Sequence, residues 1–125
     1  MTFREENLYP YVRRNLRARY PACEGWEIYE KDRWEGYEPD FVVERRRHGE
    51  TERVVVEVKV TCSVSPSHVS QLNKYAKNLS GRNIKIIGKM LVVPSGADTT
   101  KVPHDIDIMY LKAFKCEDNE ITWYE

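Results

Sequence analysis

Glu52-Arg53-Val54-Val55-Val56-Glu57-Val58-Lys59-Val60-Thr61 is the stretch on which the fold turns. Its β-branched residues favour a pleated strand, and the two-residue period sends Val54, Val56, Val58 and Val60 to one face and Val55, Glu57 and Lys59 to the other. Burying the all-valine face stabilises the strand by about 1.5 kcal/mol or more per side chain. A one-residue slip would carry Glu57 into that face, so the register is specified. A carboxylate and an ammonium therefore share one side of the strand.

Upstream, Pro39 to about Arg46 reads as the neighbouring strand, because Phe41 and Val43 alternate with Asp40, Val42 and Glu44. Arg47-His48-Gly49-Glu50 supplies the turn that makes the two a hairpin. Asp40 then lies on the strand beside Glu57. Trp26-Glu27-Ile28-Tyr29-Glu30 reads as a short strand followed by a polar loop through Gly36. Leu8, Val12, Leu16 and Tyr20 recur every four residues and predict an amphipathic first helix ending at Tyr20-Pro21. Asn7 or a neighbour is the expected cap, and Pro10 places Glu6 at a helix start or a kink.

Downstream, Ser65-Pro66 opens a second helix with a serine cap before a first-turn proline, and Gly81 is its stop. Val69, Leu72, Ala76 and Leu79 form its apolar stripe, with Gln71 and Tyr75 four apart along one edge. Gly88 to Pro94 reads as a strand buried on both faces, parallel to the valine strand after a crossover. Ile106, Ile108 and Tyr110 alternate, and Ile121 to Tyr124 after Asp118-Asn119 predicts a closing strand or hairpin. The fold class is thus α/β: a mixed central sheet flanked by helices in the order αβββαβ, with an extra C-terminal strand or hairpin.

The 125 residues fit a single domain, 1–125, large enough to bury a core without disulfide staples. The N-terminus lacks a basic-then-apolar signal pattern and no apolar run approaches spanning length, so the expectation is a soluble, cytoplasmic protein without a membrane partner. Cys23, Cys62 and Cys116 fit neither a disulfide framework nor a zinc motif and are expected to be reduced. His48, His68 and His104 are scattered, which argues against a zinc enzyme. With 20 basic and 20 acidic side chains the molecule has no net field, so any polyanion binding must be local. Arg13, Arg14, Arg17 and Arg19 form one basic cluster and Arg45, Arg46 and Arg47 another, each a candidate phosphate contact or a solvated surface.

Two carboxylates on adjacent strands repel unless a cation lies between them, and hard oxygen ligands favour Mg²⁺ or Mn²⁺. Such an ion polarises phosphorus and acidifies a bound water, which Lys59 would orient. Taken singly, each part has a plainer reading. Asp40 suits a turn after proline, Glu57 and Lys59 suit the polar face of a strand, Gln71 and Tyr75 suit a helix surface, and Glu6 suits a helix start. An acidic residue two before a lysine is a weak motif alone; the joint placement carries the weight.

In that placement the chain resembles the PD-(D/E)XK superfamily of restriction-endonuclease-like nucleases, over roughly residues 6–94. Asp40 and Glu57-x-Lys59 match its defining motif, and Gln71-x-x-x-Tyr75 is similar to the signature of its RecB-like branch. Glu6, before Leu8-Tyr9-Pro10, is similar to an acidic residue that many members carry in the first helix. The resemblance implies Mg²⁺, with Mn²⁺ as a substitute, held by Asp40, Glu57 and Glu6, with Lys59 assisting the attacking water. It implies hydrolysis of DNA, with Gln71 and Tyr75 holding the substrate or bracing the site; from the first basic cluster, Arg13, Arg14 and Arg17 are the expected further DNA contacts. A targeting protein and a homodimer are compatible arrangements. A Holliday-junction-type resolvase, an RNA-processing nuclease and a non-catalytic binding module of the same fold stand as alternatives.

Overall fold

The valine strand is the centre of a six-stranded mixed sheet in a computed structural model that describes residues 3–32 and 36–124. The elements in chain order are α1 (Glu5–Arg19), a 3-10 turn (Ala22–Glu24), β1 (Glu27–Glu30), β2 (Phe41–Arg47), β3 (Glu50–Val58), α2 (Pro66–Leu79), β4 (Ile84–Ser95), β5 (Asp107–Glu117) and β6 (Glu120–Trp123). Of the loop expected through Gly36, residues 33–35 lie outside the described residues, as do 1, 2 and 125 of the expected domain.

Strands are ordered in the sheet as in the chain. β1, β2 and β3 form an antiparallel meander, β4 and β5 add parallel to β3, and β6 closes antiparallel on β5. At the β2–β3 turn His48 and Gly49 both have positive φ, 54° and 78°, the primed geometry whose twist suits a two-residue hairpin. Parallel pairing of β3 with β4 requires a crossover, which α2 provides.

The sheet is covered on both faces. On one, Leu8, Tyr9, Val12 and Leu16 of α1 pack on Val54, Val56 and Val58 of β3 and on Phe41, Met90 and Val92. On the other, Val69, Leu72, Ala76 and Leu79 of α2 pack on Val42, Val55, Leu91 and Val93. Glu57 therefore follows Val55 on the α2 side, as the strand period requires. α1 starts at Glu5, its first turn tied by the Arg4 N–H donating to Asn7 Oδ1 at 2.8 Å, and it continues past Pro10 to Arg19. α2 begins at Pro66 after Ser65, whose N–H donates to His68 Nδ1 at 3.1 Å.

The C-terminal strands form a hairpin through Asp118 and Asn119, both with positive φ (50° and 65°). Cys62 and Cys116 correct the expectation of three reduced cysteines: they form a disulfide with Cα atoms 5.6 Å apart, while Cys23 is free and exposed. The pairing follows from tertiary placement. The β4–β5 register jumps from Pro94–Leu111 to Ser95–Lys115, bringing the end of β5 beside the segment leaving β3, where Ser63 bridges to Asp98. Gly96 permits this approach, since a side chain there would meet the Cys116 carbonyl oxygen at 3.0 Å. Among the described residues no helix is long and apolar enough to cross a membrane.

Candidate active site

Phe41 of β2 pairs with Val56 of β3, so one step further along the hairpin Asp40 meets Glu57. The two residues grip each other through main chain and side chain. The Asp40 N–H donates to Glu57 Oε1 at 2.9 Å, and the Val58 N–H donates to Asp40 Oδ2 at 2.7 Å. Only 2 % of Asp40 and 4 % of Glu57 is exposed, so neither carboxylate retains a hydration shell. Burial, followed by the charge of Asp40, pushes the Glu57 carboxyl up to about 8.

α1 and the segment after β1 complete the surroundings of Asp40. The Tyr9 hydroxyl donates to Asp40 Oδ1, and burial together with that bond raises the phenol above its ordinary range. Lys31 Nζ lies 3.2 Å from the same oxygen and 5.9 Å from the centre of the Tyr9 ring. Burial opposes its charge, but the hydrogen bond and attraction to Asp40 outweigh it and the ammonium is held above its ordinary value.

Lys59 continues past the end of β3 with its N–H donating to the Val92 carbonyl at 2.9 Å, so the backbone still tracks β4. Its ammonium donates to Gln71 Oε1 at 2.7 Å and lies 3.9 Å from Glu5 Oε1. Gln71 Nε2 in turn donates to the Tyr75 hydroxyl at 3.3 Å, and the Tyr75 ring meets Tyr37 edge-on with centres 6.0 Å apart. The strand period and the four-residue helical spacing thus bring together Asp40, Glu57, Lys59, Gln71 and Tyr75.

Glu6 is not part of this group. It is exposed, while Glu5 reaches Lys59. Helical geometry explains the difference: Glu5 lies one turn before buried Tyr9, whereas Glu6 lies one turn before exposed Pro10. Burial and then the charge of Asp40 raise the Glu5 carboxyl, with Lys59 pulling against them. The i, i+4 relation of Glu5 to an aromatic residue on the buried stripe was the available signal in the sequence. Tyr9 and Lys31 were also missed; a buried tyrosine has a hydroxyl in need of an acceptor, whereas nothing around Lys31 in the sequence points to Asp40.

Three arginines expected to touch a substrate take different positions. Arg13 is committed to Glu30, Nε to Oε1 at 2.8 Å. Arg14 is exposed and lines a cavity of about 420 Å³ between α1 and β5, together with Tyr11 and Lys112. Arg17 is exposed on α1. None of the three forms a hydrogen bond or ion pair with Asp40, Glu57 or Lys59 among the described residues.

Among the described residues no three His, Cys, Asp or Glu side chains converge closely enough to cage a metal ion by themselves. The donor set at this end of the sheet is the pair Asp40 and Glu57, with Glu5 close enough for its charge to act on Asp40's surroundings. No family model, curated protein or solved structure matches the chain. The arrangement of these side chains is therefore the ground for a functional reading.

Proposed function

We propose that the chain is a Mg²⁺-dependent nuclease with a restriction-endonuclease-like αβββαβ core, hydrolysing the phosphodiester bonds of DNA at Asp40, Glu57 and Lys59. One observation carries the reading: two buried carboxylates interlock across the β2–β3 hairpin while Lys59, two residues on, extends from the same face. Polar clusters kept only for stability gain little from two like charges with so little solvent.

The residues fit a hard divalent ion. Asp40 and Glu57 would hold it, with Glu5 acting through water, and Mg²⁺ commonly takes only one or two protein carboxylates, filling its shell with water and phosphate oxygens. When bound, such an ion neutralises the carboxylate pair, polarises the phosphoryl group and lowers the pKa of a water. The chain supplies the rest. The Val58 N–H and the Tyr9 hydroxyl fix the orientation of Asp40, and Gln71 and Glu5 hold Lys59 so that its ammonium can orient the attacking water or balance charge on the phosphate. Tyr75 braces Gln71.

The test uses labelled single-stranded, duplex, flap and four-way DNA and an RNA, each with Mg²⁺, Mn²⁺ or EDTA. Cleavage of at least one DNA, abolished by EDTA and greatly reduced in Lys59→Ala, is expected; undiminished cutting by Lys59→Ala rejects the assignment. Preference for the four-way substrate, with a dimer in solution, would place the chain among structure-selective resolvases, and selective cutting of RNA would change the substrate. A targeting protein remains compatible with each.

A second reading, a non-catalytic module of the same fold, has its own support in Lys31. Its ammonium already lies on Asp40 Oδ1, and a cluster neutralised internally needs no ion. Calorimetry separates the two: the nuclease binds Mn²⁺ and loses that binding in Asp40→Ala, whereas the module binds none.

A further inference from the structure

At the opposite end of β3 from the carboxylates, the β2–β3 turn and the α2–β4 turn come together, the Thr51 N–H donating to the Asn83 carbonyl at 2.7 Å. Between them lies a cleft of about 620 Å³ whose charged lining is Arg46, Arg47, Arg53, Arg82 and Glu44. Glu44, the one acid in that lining, is engaged by Arg53 Nε at 3.1 Å, and Arg53 Nη1 also donates to the Leu79 carbonyl at the end of α2 at 2.8 Å. Arg53 is thereby a fixed part of the wall.

Arg46, Arg47 and Arg82 differ from the ion-paired Arg13, Arg19, Arg45 and Arg53. All three are exposed, and none has a hydrogen bond or ion pair among the described residues. By contrast Arg45, on the opposite face of β2, pairs with Glu52 at 2.8 Å and stacks over Trp26 at 4.3 Å. The strand period puts Arg46 on the α2 side and Arg45 and Arg47 on the other; Arg45 is held by Glu52 and Trp26, while Arg47, beside the turn, lines the cleft with Arg46. On a chain with no net charge, three guanidinium groups without an ion pair among the described residues, around one cleft, make a local site for a polyanion, and the planar fork of arginine suits phosphate.

The cleft is in line with the hydrolytic residues. Asp40, Val42, Glu44 and Arg46 occupy alternate positions of β2, and Glu57, Val55, Arg53 and Thr51 the facing positions of β3, so the carboxylates and the cleft lie on the α2 side of the sheet. The six residue steps from Asp40 to Arg46 span about 20 Å. Duplex DNA places a phosphate about every 3.4 Å of axis along each strand, so that span corresponds to about six base pairs.

We infer that the cleft between the β2–β3 and α2–β4 turns is a second phosphate-binding site, which grips the DNA backbone through Arg46, Arg47 and Arg82 about six base pairs from the point of cleavage. The identity of the polyanion rests on the nuclease reading; the cleft itself does not. Duplexes too short to reach it lose its contribution, so affinity rises with length once the substrate spans both ends of the strand.

The experiment measures binding of the full chain in EDTA, by anisotropy, to labelled hairpin-closed duplexes of about 5 and about 16 base pairs across a salt series. The parent is compared with Arg46→Glu/Arg82→Glu and with the charge-matched control Lys101→Glu/Lys112→Glu, all checked by thermal melting. The arginine variant is expected to weaken binding of the long duplex about tenfold or more, lower the salt slope by about two, and narrow the advantage of the long duplex over the short one. The inference is overturned if the parent binds neither duplex, if the arginine variant matches the parent on the long one, or if the control loses as much. Because no metal is present, the two readings fail separately. A chain that grips long duplex through the arginines but cuts nothing keeps this site and loses the nuclease, while one that cuts with variant-independent binding does the reverse.

Discussion

Gln71 of α2 accepts a 2.7 Å hydrogen bond from the ammonium of Lys59, tying the crossover helix to the strand it follows. The bond puts a neutral acceptor, in place of a full carboxylate partner, against the lysine; Glu5 is more distant at 3.9 Å. A lysine held in this way keeps its direction, and in the proposed reaction its charge would stay available to the phosphate.

Removing each member of that pair should have a different effect. Lys59→Ala is expected to lower turnover by about 10²- to 10⁴-fold, the usual range for a positioned proton-handling group. Gln71→Ala leaves the ammonium in place but less well directed, and about 10- to 100-fold is expected. Single-turnover rates on one DNA substrate test both; equal losses would mean that Gln71 does more than orient the lysine.

The raised Glu57 carboxyl makes the metal-free protein sensitive to pH. Below its ordinary 4.5 the group is protonated whether folded or unfolded, and between 4.5 and about 8 only the folded chain retains the proton. The folded state therefore loses stability as pH rises through that window, with no further loss from this group above it, and Glu5 acts in the same direction. Melting temperatures in EDTA should fall from pH 5 to pH 8, and Glu57→Gln should flatten the curve. A Glu57→Gln profile parallel to the parent's would remove the basis for this expectation.

Lys31 Nζ lies on Asp40 Oδ1, and a divalent ion held by Asp40, as proposed, would meet its charge. Lys31→Ala is therefore expected to tighten Mn²⁺ binding by roughly two- to fivefold, a modest effect because the lysine is partly solvated. Isothermal titration reads this directly. Weaker binding in the variant would instead make Lys31 a support of the site.

Tyr9→Phe withdraws a buried donor from a charged acceptor without opening a cavity, and a loss of about 1.5–3 kcal/mol in folding stability is expected. Chemical denaturation at neutral pH measures it. The loss should shrink when Mn²⁺ is added, because an ion on Asp40 replaces the missing partner; a loss independent of metal would confine Tyr9 to packing.

What was legible in the sequence is what depends on local period. The valines of β3 assign Glu57 and Lys59 to one face, and Ser65-Pro66 with a four-residue repeat places Gln71 and Tyr75 on one edge of α2. Proximity set by the tertiary fold was not legible. Glu5 and Glu6 are equally good helix-start acids; the four-residue step to Tyr9 favours Glu5, but its approach to Lys59 depends on how α1 packs on the sheet. Lys31 reaches Asp40 through the path of a loop, and Cys62 finds Cys116 through an irregularity in the β4–β5 ladder. The Arg45–Arg47 run lies between these cases: its alternation was readable, but Glu52 and Trp26 as partners of Arg45 were not.

The Cys62–Cys116 bridge closes the 54-residue span that carries α2, β4 and nearly all of β5 into a covalent ring. A protease that nicks the exposed turn at Arg82 opens the ring without dividing the molecule. The piece bearing Lys59 and Gln71 stays attached to the piece bearing β4 to β6, and the nicked chain should migrate as one band until a thiol reductant separates the halves.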